Sequence, residues 1–201
     1  MSPVQAGEHR SAIVAATIRL MVREGIGAAS TRRVAGEAGV AQATIHYVFG
    51  TKTELYRAVL EAVTSNLVRA VEAGLAPHPH WTEDVDVASR AVWEVVEADR
   101  STALLLVELT AYALRDPDLR DLAEGLYDSY HQLAQNAVRV LVERSNQELR
   151  IPVDEVAQLV VAGLNGLVLS FLVHGDRERG RRDLENLVDS LTAVAVGPVS
   201  V

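Results

Sequence analysis

Between Thr31 and Gly50 lie twenty residues in which a small side chain, Ala35, stands fifth and a glycine, Gly39, stands ninth. That spacing constrains the fold more than any other feature of the chain. An alanine at a crossing point lets two helices approach closely, and glycine adopts without strain the positive φ that a tight turn between them needs. Two short helices are therefore expected over 31–38 and 42–49, the first capped by Ser30 or Thr31. Val34, Ala38, Val40, Ile45 and Val48 fall where this pair must bury contacts against a third helix. Ahead of it, Ile13, Val14, Ala16, Ile18, Leu20 and Met21 recur at three- and four-residue steps, so His9 to Glu24 reads as that helix, ended by Gly25 and Gly27. Thr51-Lys52-Thr53-Glu54 follows as a capping box, in which Thr51 and Glu54 satisfy each other's backbone N–H groups, and a long fourth helix runs to about Gly74.

Leu75 to Trp81, with Pro77 and Pro79, breaks the pattern. Beyond it helices are expected over 82–99, 102–114, 117–144, 154–174 and 178–196, the third of these capped by Asp116 with Pro117 in its first turn. No stretch alternates as a half-buried strand does. The expected fold class is all-α: an N-terminal three-helix helix-turn-helix domain over 1–53 and a larger helical domain over 54–201.

Several chemistries drop out at once. There is no cysteine, which removes disulfides, zinc thiolate sites and thiol nucleophiles together. His78-Pro79-His80 has no third ligand nearby and reads as loop, so neither metal nor cofactor is expected. No glycine-rich phosphate loop, nucleophile elbow or Ser/His/Asp order points to catalysis. Val156 to Val173 is apolar enough to resemble a membrane span, but it contains Gln158, Asn165 and Ser170 and reads as a core or partner-facing helix, with no membrane partner. Met1 to Arg10 lacks the apolar run of a signal peptide, so a cytoplasmic location is expected. Arg177 to Arg182 alternates with Glu178 and Asp183 and reads as a solvated loop and helix start.

The net charge of −8 is wrong for a polyanion-binding protein until it is divided along the chain. Residues 1–55 carry +2 and the remainder −10, so phosphate is drawn toward the N-terminal end and repelled elsewhere. On the third helix Ile45, Val48 and Phe49 are expected to turn inward, leaving Gln42, Ala43, His46 and Tyr47 on a face that fits the major groove of duplex DNA. Gln42 can bridge adenine N6 and N7, Ala43 can rest on a thymine methyl, and Arg32 or Arg33 can reach guanine or phosphate. Thr31, Thr44, Tyr47 and Lys52 suit phosphate contacts that set register. Each has a plainer reading: Arg32 and Arg33 as solvated charge, Tyr47 packed under the first helix, Gln42 as a polar helix start.

Through Ser30-Thr31-Arg32-Arg33-Val34-Ala35, Gly39-Val40-Ala41-Gln42-Ala43-Thr44-Ile45 and Tyr47-Val48-Phe49-Gly50-Thr51-Lys52-Thr53-Glu54-Leu55, the chain resembles the tetracycline-repressor (TetR) family of regulators. His46 and Val48 depart from the residue types usual there. The resemblance implies a ligand-responsive transcriptional regulator, a repressor in preference to an activator, that binds a palindromic operator as a homodimer and is released by a small-molecule effector. A helical protein that binds partners without reading DNA is the alternative.

Two-fold pairing is expected through the last two helices. Val160, Leu164, Leu167 and Phe171 belong to a segment apolar nearly all round, and Leu184, Leu187, Val188 and Leu191 form a stripe on the next; paired with a second copy they would make a four-helix bundle, with Gly163 and Gly166 allowing close approach. Candidate effector contacts, given that the family encloses a small-molecule pocket, are Trp93, Glu108, Tyr112, Tyr127, Tyr130, His131 and Asn165. Their structural alternatives are a solvent-edge glutamate at 108, an exposed Tyr127/His131 pair and a satisfied core amide at 165.

Overall fold

The computed structural model describes residues 3–74, 81–145 and 148–196, and the elements in them are all helical. In order they are α1 (Pro3–Glu24), a 3-10 turn (Ile26–Ala28), α2 (Thr31–Ala38), α3 (Gln42–Phe49), α4 (Lys52–Gly74), α5 (Trp81–Ala98), α6 (Arg100–Arg115), a second 3-10 turn (Pro117–Leu119), α7 (Arg120–Ser145), α8 (Val153–His174) and α9 (Arg177–Ala195). The His78-Pro79-His80 segment and the tail from Gly197 lie outside the described residues. Two boundaries differ from expectation by more than two residues. α1 begins at Pro3, a residue suited to a first turn because the N–H it lacks would have no helical partner. Pro117 opens a 3-10 turn: Asp116 accepts from the Asp118 N–H at 3.1 Å, and α7 starts only at Arg120.

The chain groups into two compact units, one running through Ser65 and including Leu104–Glu124, the other comprising Asn66–Ala103 and the chain from Gly125. The first unit thus extends beyond residue 53. Leu55, Tyr56, Val59, Leu60 and Val63 of α4, with Leu105, Leu109 and Ala113 of α6, are buried and belong to the first unit. A three-helix domain of this size buries too small a share of its surface to be well stabilised alone, and these two helices enlarge its core.

In the first unit α1 packs on α2 and α3, and α2 on α3. Ile13, Ala16, Leu20 and Met21 of α1 are buried, as are Val34 and Ala35 of α2 and Ile45 and Phe49 of α3. Thr17, fully buried among them, donates its hydroxyl to the Ile13 carbonyl at 2.7 Å, which removes the cost of an unsatisfied polar group.

In the second unit α9 packs on both α8 and α5. Its centre is Trp93 of α5, tilted 59° against Phe171 of α8 at 5.4 Å between ring centroids and joined by Leu184 of α9. Glycines set two of these spacings. A Cβ on Gly180 would lie 2.6 Å from Trp93 Cζ2, and one on Gly163 would lie 2.7 Å from Leu187 Cδ1. Beside Trp93 sits Glu97, only 7% exposed; it accepts from Trp93 Nε1 at 2.8 Å and from Arg181 Nε and Nη2 at 3.0 and 2.6 Å. Burial pushes its pKa up, but the Arg181 and Trp93 donors outweigh that and hold the carboxyl below its ordinary value. Arg100 donates to the Leu172 carbonyl near the C-terminal end of α8, where backbone acceptors lack helical partners, and Gly175 closes that helix at φ 71°.

Candidate nucleic-acid interface

Local chemistry explains why the helix-turn-helix forms where it does. Ser30, in extended backbone, accepts from the Arg33 N–H at 3.4 Å and starts α2. Gly39 ends it at φ 67° and ψ 28°, and the Val40 N–H then reaches back to the Ala35 carbonyl at 3.0 Å, a Schellman closure that turns the chain into α3. After Gly50, at φ 69°, Thr51 Oγ1 accepts from the Glu54 N–H at 3.1 Å. The reciprocal half of the expected capping box is absent: the Thr51 N–H donates instead to the Phe49 carbonyl at 2.7 Å, and the Glu54 carboxylate lies 3.5 Å from Arg57.

With Ile45 and Phe49 buried, Gln42, Ala43, His46 and Tyr47 are exposed, Tyr47 to 70%. That excludes the packing of Tyr47 beneath α1. Val48 and Thr44 are half-buried. Gln42 Nε2 donates to Thr31 Oγ1 at 3.1 Å, tying the start of α3 to the start of α2.

The cations divide into two kinds. Arg33 donates to Glu24, Arg23 bonds Glu37 at 3.0 Å, and Arg19 bonds Glu37 at 3.2 Å. The Arg33 bond, then the Arg23 bond, holds the Glu24 carboxyl below its ordinary value, and Arg23 then Arg19 do the same for Glu37. Arg33, expected beside Arg32 as a DNA-facing cation, is thus committed to an α1–α2 ion-pair network. Arg32 is exposed and has no side-chain partner among the described residues. Lys52 is held differently: its Nζ is 3.1 Å from Tyr112 Oη, 5.0 Å from the Tyr56 ring centroid and 5.3 Å from that of Tyr112. Partial burial works to lower its pKa, yet the Tyr112 bond and the field of the two phenols leave it above its ordinary value. Tyr56 escaped the sequence reading, although its place four residues after Lys52 on one helix is the spacing at which side chains meet.

The candidate effector residues fare unevenly. Trp93 is 2% exposed, its N–H satisfied by Glu97 and its ring packed in the core. Tyr112 belongs to the first unit and is occupied with Lys52 and with Tyr56, whose ring is 6.2 Å away. Asn165, half-buried, donates to the Val161 carbonyl of its own helix at 2.9 Å. The rings of Tyr127 and Tyr130 meet tilted at 58° with centroids 5.9 Å apart, and burial, then the neighbouring Tyr127, pushes the Tyr130 hydroxyl up to about 12. Glu108 and His131 are half-buried.

The expected pairing residues also divide. Phe171 and Leu184 spend their surface inside the chain against Trp93, with Leu164, Leu167 and Val188 packed around them. Val160, Leu187 and Leu191 are half-buried. The row that α8 leaves open is Leu159, Ala162, Gly166, Leu169 and Val173, at alternating three- and four-residue steps; of these the sequence reading singled out only Gly166, for close approach, and Leu169 is 52% and Val173 70% exposed. Although α8 has the length and hydropathy of a membrane span, its other side carries buried Val156, Ala157, Val161, Phe171 and Leu172.

Comparison with known proteins follows this geometry. Residues 13–59 match the bacterial regulatory proteins of the tetR family, and residues 81–193 match the C-terminal region of BetI-type transcriptional repressors. The nicotine-responsive transcriptional repressor HdnoR of Paenarthrobacter nicotinovorans is 26% identical over 187 residues, 91% of this chain and 93% of that protein. The transcriptional activator FasR of Mycolicibacterium smegmatis is 30% identical over 101 residues, 50% of this chain and 46% of that one. Among solved structures, that of the multidrug binding protein EbrR complexed with imidazole is similar at a TM-score of 0.69 and 29% identity, covering 96% of this chain and 92% of that one.

Proposed function

This chain belongs to the tetR family of bacterial regulatory proteins, and on that premise we propose that it acts in the cytoplasm as a homodimeric repressor that reads a palindromic operator with α3 and leaves it when a small molecule binds. The observation that carries the reading is the exposed row Gln42, Ala43, His46 and Tyr47, flanked by Arg32 and Lys52. Bidentate reading of adenine takes one amide N–H and the amide oxygen of a glutamine. The bond from Gln42 to Thr31 uses only one N–H, so both groups needed for adenine remain. Ala43 suits a thymine methyl, Thr44 and Tyr47 suit phosphates, and Arg32 suits guanine or phosphate.

Palindromic reading needs two half-sites about 34 Å apart, hence two copies. The open α8 row, with Leu159, Leu169 and Val173 exposed, supports an isologous contact there. Repression is favoured over activation because the nicotine-responsive repressor matches nearly the whole chain and the activator half of it. The nicotine of one relative and the imidazole of another support a nitrogenous aromatic or cationic effector. Within the second unit Tyr127, Tyr130 and His131 are groups suited to meet it, through their ring faces.

Selection of bound fragments from random duplex DNA tests the reading, followed by challenge of the selected duplex with nicotine and with imidazole. A palindromic consensus released by either amine is the expected result. Absence of enrichment sinks the DNA reading; a consensus that neither amine releases sinks the effector class alone.

A further inference from the structure

Around α2 and α3 Arg32 is open, and Arg19, Arg23, Arg33 and Lys52 are held by two kinds of partner. Arg19, Arg23 and Arg33 meet carboxylates, which cancel much of the charge they could present to phosphate. Lys52 meets no carboxylate among the described residues. Its ammonium rests between two phenol rings, 5.0 Å from the centroid of Tyr56 and 5.3 Å from that of Tyr112, and bonds the Tyr112 hydroxyl at 3.1 Å. The rings stand 6.2 Å apart at 59°, forming an open wedge. Tyr56 is fixed in the core, whereas Tyr112 is half-buried and reaches the site from α6.

We propose that Tyr112 is a positioning residue for DNA binding: with Tyr56 it seats the Lys52 ammonium at the start of α4, ready to meet an operator phosphate. The inference rests on the DNA-reading function proposed above. Neutral phenol hydroxyls hold the cation without neutralising it. An ammonium has three N–H donors, and the two tyrosine hydroxyls take at most two, leaving at least one for a phosphate oxygen. Lysine on a free four-carbon stem would lose rotamer freedom on meeting phosphate, and the seat removes part of that loss before DNA arrives. Tyr112 therefore serves the DNA-facing unit although it lies within the stretch matching the C-terminal region of repressors.

The test measures affinity for a mixed-sequence duplex of about three helical turns, at several salt concentrations, for the full chain and for Lys52→Ala, Tyr112→Phe and the double variant. Lys52→Ala is expected to weaken binding of all sequences alike and to lower the salt slope by about one. Tyr112→Phe keeps the ring and the charge but loses the hydroxyl, so affinity falls about three- to ten-fold with the salt slope unchanged. In the Lys52→Ala background Tyr112→Phe then has no further effect, an outcome that a merely structural role would not give. The proposal is overturned by wild-type or tighter binding of Tyr112→Phe, or by an equal loss in both backgrounds. Failure of the unmodified chain to bind duplex DNA at all overturns the parent reading instead.

Discussion

α3 and α8 both present side chains to something outside the chain, but their sequences say very different amounts about which side chains those are. On α3 the apolar residues Ile45 and Phe49 are interrupted by Gln42, His46 and Tyr47, and the structure buries the first set and exposes the second. Contrast around the helix sets its rotation. α8 offers almost none: Leu164, Leu167 and Phe171 turn inward and Leu159, Leu169 and Val173 stay out, although hydropathy ranks them alike. An all-apolar helix announces two covers without saying which residues go under which.

Alanine substitutions on the two sides of α8 test that division most sharply. Phe171→Ala is expected to cost about 3–5 kcal/mol in urea unfolding, as a large core side chain removed from its cluster. On α3, Gln42→Ala is expected to lose about 1–3 kcal/mol at one base position and to leave unfolding untouched; an even loss across sequences would make Gln42 a register contact and blur the contrast. Gly39→Ala comes next, at about 1–2 kcal/mol of stability: no atom would obstruct the methyl, so the loss is the strain of a left-handed backbone. A pH series probes Glu97. Its carboxyl lies below the ordinary value of 4.5 in the folded chain, so the stability it contributes is present above that value and is lost as pH falls through the depressed one. Arg181→Met should flatten this acid limb of the unfolding curve, and an unchanged limb would locate the acid sensitivity elsewhere. Smallest is Leu169→Ala, expected within about 0.5 kcal/mol for the chain's own fold while weakening self-association in sedimentation; a core-sized loss would mean that this side of α8 is not open.

Helix positions were legible because glycines, caps and three-to-four spacing act locally: α2, α3 and α4 begin and end where Ser30, Gly39, Gly50 and the Thr51 cap require. What escaped the sequence depends on which distant residues meet. Arg33 and Arg32 are adjacent and chemically identical, yet one is taken by Glu24 and the other is open, a choice made by the approach of α1 to α2. Tyr112 and Trp93 both read as candidate ligand contacts; sixty residues separate Tyr112 from the lysine it bonds, and Trp93 packs against Phe171 and donates its N–H to Glu97. Hydropathy also could not show that residues of α4 and α6 would complete the core of the DNA-facing unit, because an apolar stripe shows that a helix is covered without naming what covers it.

The bare backbone at position 180 makes the α5–α9 contact intolerant of the mildest change in genetic text. One methyl there would wedge the indole away from α9, and the adjoining Arg181 would be levered off the carboxylate that also receives the indole N–H. Any side chain at this position therefore has to displace either the indole or the backbone of α9 before it fits.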